Sequence, residues 1–218
     1  MTSQRFSDDE IGAVYRAIAE RRDMRHFVPG AIAPELLTRL LTAAHQAPSV
    51  GLMQPWRFVR ITDQDIRRQI YEQVQQERIN TARAVGEYET TARAAEFMRL
   101  KVEGILECGE LLVAALCDKR EQHIFGRRTL PEMDIASVCC AIQNMWLAAR
   151  AEGLGMGWVS MFDPVALGAL LNMPQGAKPI AILCLGNVGK FYAQPMLVEE
   201  GWTTERPLSD MVMENGWR

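Results

Sequence analysis

Cysteine is scarce in this chain and follows no pattern. Five residues, Cys108, Cys117, Cys139, Cys140 and Cys184, are spread over 218 positions, mostly inside apolar segments, with no CxxC or Cys/His spacing. That excludes a disulfide framework and a zinc ribbon, so buried thiols in a reducing, cytoplasmic compartment are expected, and no metal. Long apolar runs are missing too. The longest, such as residues 179–185, are far too short to cross a bilayer, so no membrane partner is expected. The opening MTSQRFSDDE has no positive start followed by an apolar stretch, which argues against a signal peptide. A net charge of −3 argues against a nucleic-acid partner, which would want a basic surface. Neither a Walker loop nor a GxSxG elbow occurs, and His26, His45 and His123 show no ligand spacing.

What remains is a soluble globular composition, 48% hydrophobic and 23% charged, without repeats or linker-like breaks. Ser7 followed by Asp8, Asp9 and Glu10 predicts a capped helix start, with Ile11, Val14, Tyr15 and Ile18 on one face. Pro34 opens a second helix with Leu36, Leu37, Leu40, Leu41 and Ala44 as its stripe. Residues 56–61 read as a strand, and 65–107 as mostly helical. The weakly amphipathic stretch 82–99 suits a mobile cover better than core. Residues 110–117 read as a buried strand, although a short apolar run does not exclude helix. The clearest helix is 134–152, where Ile135, Val138, Cys139, Ile142, Met145, Trp146 and Ala149 recur at helical steps. Strands over 157–162 and 179–186 complete an α+β reading, a sheet packed by helices. The tail from residue 191 carries Trp202, Pro207 and Trp217 with little periodicity, so its apolar residues need another surface to bury them.

Three stretches carry chemical signals. RRDMRHF places Arg21, Arg22 and Arg25 around Asp23 at the end of the first helix. Arginine forks match phosphate oxygens, and a helix end decorated with cations is the equally available alternative. QAPSVGLMQPW brings Ser49 and Gly51 into a loop that can offer a hydroxyl and backbone N–H groups to a ligand; an ordinary connector explains it as well. EGLGMGWVS holds Gly153, Gly155 and Gly157 in a helix-to-strand turn. That order is the reverse of the dinucleotide fingerprint, so a Rossmann site is rejected; a turn that could approach a flat ring remains, beside a plain Gly-terminated helix followed by a tight turn.

Taken in order, these stretches and the later Arg206-Pro207 resemble the nitroreductase-like flavoprotein superfamily. RRD (21–23), AAHQAPSVGLMQPW (43–56), PEMD (131–134), LAARAEGLGMGWVSMF (147–162) and CLG (184–186) are similar to one branch of it. Ordinary members carry Ser where Asp23 stands. In that branch reduced FMN is a substrate, broken down with O2 to 5,6-dimethylbenzimidazole, the lower ligand of cobalamin. The resemblance implies an oxidoreductase with a mostly antiparallel central sheet packed by helices, in an intertwined homodimer. It implies a single FMN-binding domain over 1–218, a helical lid at about 82–99 and a dimer-embracing tail at about 191–218.

Carried over by position, Arg21, Arg22, Arg25 and Arg206 would grip the FMN phosphate and ribityl chain. Ser49, Gly51 and Leu52 would line the flavin, Leu52 standing where the family usually has Asn. Lys101 would reach the ribityl or ring edge, and Met156, Gly157, Trp158, Val159 and Ser160 would run along the ring. The C1′ carbon of FMN becomes the carbon between the benzimidazole nitrogens, so a C–H bond there must break. Asp23 is the catalytic candidate, orienting ribityl hydroxyls first and transferring a proton second, because its arginine neighbours should lower its pKa. Ser160 would donate a hydrogen bond near flavin N5. Where the reduced flavin comes from stays open, a separate flavin reductase included. Two other readings compete: an NAD(P)H-dependent nitroreductase or flavin reductase that keeps its FMN, and a non-catalytic flavin-binding module.

Overall fold

The computed structural model describes residues 4–217; residues 1–3 and 218, the ends of the expected 1–218 domain, lie outside them. Strands β1 (Trp56–Arg60), β2 (Glu110–Leu116), β3 (Gly155–Val159) and β4 (Lys178–Gly186) form one sheet. Their order is β1-β2-β4-β3, and every neighbouring pair is antiparallel. Leu112, Ala114 and Leu116 point to one face of the sheet, Leu111 and Val113 to the other. Both faces are covered, which is why β2 reads as an unbroken apolar run rather than an alternating one.

The first face is covered by α2 (Pro34–His45), through Leu37, Leu40 and Ala44. It is also covered by α5 (Met133–Ala151), through Val138, Ile142, Met145 and Ala149. Ile70 and Val74 of α3 (Gln64–Tyr88) and Leu167 of α6 (Pro164–Leu170) cover the second. Each of these Leu, Ile, Val and Met side chains contributes about 1.5–3 kcal/mol over leaving it in water. Helix α1 (Asp8–Glu20) begins at a capping box between Ser7 and Glu10 and ties to α5 through an Arg150–Glu20 ion pair. It buries none of its own residues, and Val14, Tyr15 and Ile18 stay exposed.

The structure departs from the sequence reading in four places. Residues 65–107 are mostly helical, as expected, but in two helices rather than one stretch. Helix α3 ends at Tyr88, Thr90 caps the short α4 (Thr91–Phe97), and residues 101–107 leave the helix. There Gly104 passes so close to the first segment that a Cβ would lie 2.5 Å from the Phe27 ring and 2.8 Å from the Arg25 carbonyl oxygen. Strand β3 starts two residues earlier than expected and stops at Val159. Its start is extended by the Gly155–Gly186 pairing and by the Met24 N–H donated to the Met156 carbonyl at 3.0 Å. Helix α6 was not anticipated, although Asp163 caps it through the N–H groups of Val165 and Ala166 and Pro164 opens it. Finally, RRDMRHF does not belong to the end of the first helix, which stops at Glu20. It runs extended beside β3, with Asp23 bridged to Met156.

Candidate active site

The extended segment after α1 and the end of β3 form the floor of a cleft of about 980 Å³. Arg21, Arg22, Asp23, Arg25, Trp158, Val159 and Ser160 all line it. Residues far apart in sequence are thus gathered by one piece of backbone pairing. Gly157 makes that pairing possible, since a Cβ there would stand 2.2 Å from the Met24 carbonyl oxygen. The bare backbone therefore serves the chain's own close approach, where sequence reasoning left it open to a flat ring.

The three arginines are not equivalent. Arg22 donates to the carbonyls of Ala19 (2.7 Å) and Arg21 (2.8 Å) and to Ala193 of the tail (2.8 Å), so it fastens backbone. Arg25 is buried. Its Nη2 donates to Asp23 Oδ2 at 2.5 Å and to the Trp158 carbonyl at 2.8 Å, while its Nη1 is buried without a hydrogen-bond partner. The Arg21 side chain makes no hydrogen bond or ion pair among the described residues, and its guanidinium lies 4.6 Å over the Trp146 ring. It is the cation of the cluster left free to meet an anion.

Asp23 sits between these groups, its Oδ1 accepting from the Trp158 N–H at 2.8 Å. Burial at the cleft floor raises its pKa above the ordinary carboxylate value, although Arg25, the Trp158 N–H and Arg21 all pull the other way. The expectation from sequence, that the arginines would lower it, is overturned. The same close packing that brings the arginines near also removes the water that stabilises the ionised form.

The cover comes from two places. Thr81 and Val85 of α3, Phe97 of α4, and Leu100 and Val102 beyond it form one side. The tail forms the other, with Leu197 and Val198 of α7 (Met196–Glu199) followed by Trp202, Thr203, Thr204 and Glu205. The two sides are latched. The Arg93 guanidinium stands 3.4 Å over the Trp202 ring and donates to the Trp202 carbonyl at 2.5 Å. The sequence reading gave this tail to a partner subunit and put none of these residues in the site; Trp202, an indole in an aperiodic segment, was the signal available.

Other expected residues stand apart from the cleft. Met156 lies beneath the floor, buried, with its carbonyl taken by Met24. Lys101 lies between two lining residues, paired with Glu107 at 2.6 Å. Ser49, Gly51 and Leu52 do not line it; Leu52 is 78% exposed, and Gly51, Leu52 and Gln54 adopt left-handed backbone angles in one short loop. Arg206 lines a separate hollow with Asp210, Met211 and Trp217.

Comparison with known proteins fits this geometry. The family description that matches, "Nitroreductase family", covers residues 18–187, which include the segment after α1, all of the sheet and α3. The chain belongs to the nitroreductase family. A family relative, the 5,6-dimethylbenzimidazole synthase of Rhodospirillum rubrum, is 42% identical over 86% of this chain and 87% of its own length. The 5,6-dimethylbenzimidazole synthase of Rhodobacter capsulatus is 34% identical over 93% of this chain and 96% of its own. Among solved structures of the same fold, oxidized iodotyrosine deiodinase bound to FMN and 3-iodo-L-tyrosine superimposes with a TM-score of 0.70. It is 21% identical, over 94% of this chain and all of that one. This member of the nitroreductase family is therefore an enzyme of an oxidoreductase fold, similar along nearly its whole length to 5,6-dimethylbenzimidazole synthases. Among the described residues, no helix is long and apolar enough to cross a membrane.

Proposed function

We propose that this chain is a cytoplasmic 5,6-dimethylbenzimidazole synthase that consumes reduced FMN and O2 at the cleft. The observation that carries the reading is the Asp23 carboxylate, held at the cleft floor by the Trp158 N–H and Arg25. The identity to synthases over most of the chain supports it. The residues present suit a phosphate-bearing flavin: a free guanidinium at Arg21, a long half-apolar cleft, and a buried, unpartnered Arg25 Nη1 behind Asp23.

Reduced FMN supplies the electrons for O2 and the carbon skeleton of the product. The protein's part is to bind, orient and handle one proton. Arg21 meets the phosphate, while Arg22 and Arg25 keep the floor in place. Asp23, made more basic by burial, takes the proton that leaves C1′ and orients the neighbouring hydroxyls. Ser160, at the end of β3, donates to the ring edge. The latched cover of Phe97, Leu100 and Trp202 keeps bulk water away. The loop carrying Ser49, Gly51 and Leu52 would reach the flavin of the second copy in a homodimer, with Arg206 and the outer tail wrapped on the partner.

The test is direct. Photoreduced FMN and air are mixed with the purified protein, and the product is identified by mass. Dimethylbenzimidazole is expected; intact FMN with sustained NADPH-driven reduction of a nitroaromatic would instead establish a flavin-retaining nitroreductase.

A further inference from the structure

Trp146 comes from the core helix α5, is 8% exposed, and lies behind the cleft rather than in it. It touches the arginine cluster in two ways. The indole Nε1–H donates to the Arg22 carbonyl at 3.2 Å, and the ring face supports the Arg21 guanidinium at 4.6 Å. The same ring lies 6.3 Å from that of Trp158, whose N–H holds Asp23. A buried indole N–H needs an acceptor, but nothing in core packing calls for a guanidinium over the ring face. An arginine with no hydrogen bond or ion pair of its own would otherwise be free to sweep the cleft.

We propose that Trp146 is a positioning residue: its indole face fixes where the Arg21 guanidinium stands, and so sets the preference of the site for a phosphate-bearing flavin over the same flavin without phosphate. Stacking orders a flexible side chain before the anion arrives, so less freedom is lost on binding. The inference rests on the reading that Arg21 meets the phosphate. Riboflavin shares the ring and ribityl chain of FMN and lacks only that phosphate, so the ratio of the two affinities isolates the effect.

The experiment measures Kd for oxidised FMN and for riboflavin by flavin fluorescence in the parent, Arg21→Gln, Trp146→Met and Trp146→Phe. In Arg21→Gln the preference for FMN is expected to collapse while riboflavin binding holds. In Trp146→Met, which keeps bulk and loses the π face, the preference should fall about tenfold with riboflavin Kd within about twofold. Trp146→Phe keeps a weaker face and should lose about two- to threefold, which decides the matter if the Met variant does not fold. Equal weakening of both flavins, or no change in the ratio in either Trp146 variant while Arg21→Gln abolishes it, overturns the role of Trp146. An unchanged ratio in Arg21→Gln overturns the phosphate reading itself.

Discussion

Asp23→Asn separates the chemistry of one carboxylate from its structural role. Two magnitudes compete. Removing one partner of a well-buried ion pair costs about 3–5 kcal/mol when the other charge is left buried and unpaired. Here, however, burial raises the Asp23 pKa, so ionisation is less favourable in the fold than in water and the Arg25 contact does not fully offset the lost hydration. The side chain is also 41% exposed to the cleft, which weakens the pair further. Asparagine keeps an acceptor for the Trp158 N–H. The variant should therefore lie within about 1 kcal/mol of the parent at neutral pH. Its turnover of reduced FMN to dimethylbenzimidazole should fall by about 10²–10⁴-fold, the usual worth of a placed base.

The pH dependence has a definite sign. With the folded pKa raised, the folded state holds the proton where the unfolded chain has released it. That contribution is complete below the unfolded value, near pH 4, and is lost as pH rises through the folded one. Parent minus variant stability should thus decline from about pH 4 toward neutrality. Urea melts at several pH values, at fixed protein concentration, together with product mass after aeration, read both quantities. A loss of 3 kcal/mol or more at pH 7 would show that the carboxylate is stabilised as an ion and refute the raised pKa. Product formation within tenfold of the parent would refute the proton-transfer role.

Further expectations follow from other parts of the molecule. Asp134→Ala removes a buried carboxylate that accepts from Arg120 and Arg127, both at 2.9 Å, and should cost about 3–5 kcal/mol in urea unfolding; a cost below 1 would show that the arginines' carbonyl contacts suffice. Gly157→Ala places a methyl against the Met24 carbonyl and should destabilise by about 1–3 kcal/mol and weaken flavin binding, whereas a parent-like melt would mean that the two segments can part without penalty. Trp202→Ala removes a cation–π latch worth about 0.5–2 kcal/mol, so more FMN should be recovered intact after aeration and the tail should be cut sooner by protease; unchanged values for both would show that the latch does not close the cleft.

Much of this was legible in the sequence because periodicity and capping are local. The Ser7 box, the Pro34 helix start and the stripe on α5 depend on neighbours a few residues away, and the helices stand where those signals put them. The floor of the cleft was legible only through resemblance, since nothing local says that Asp23 and Trp158 meet. Its electrostatics were misjudged for the same reason. Counting the arginines near Asp23 in sequence gives the charges but not the burial that outweighs them. The approach of Gly104 to Phe27 joins segments far apart in the chain, and the Arg93–Trp202 latch joins residues more than a hundred positions apart. Such contacts leave no periodic trace.

The sheet is complete at Gly186, while the cleft still lacks one wall until Pro195 to Glu205 have folded over it. A chain emerging from the ribosome can therefore close its hydrophobic core before it owns a site. The apolar surface between Val159 and Phe97 then faces water during the last stage of synthesis, and on the proposed reading of the cleft catalysis is the final property that the polypeptide acquires. Most of the core and the last wall of the cleft thus belong to different segments, and damage confined to the tail can open the cleft while the sheet and its helices stay folded.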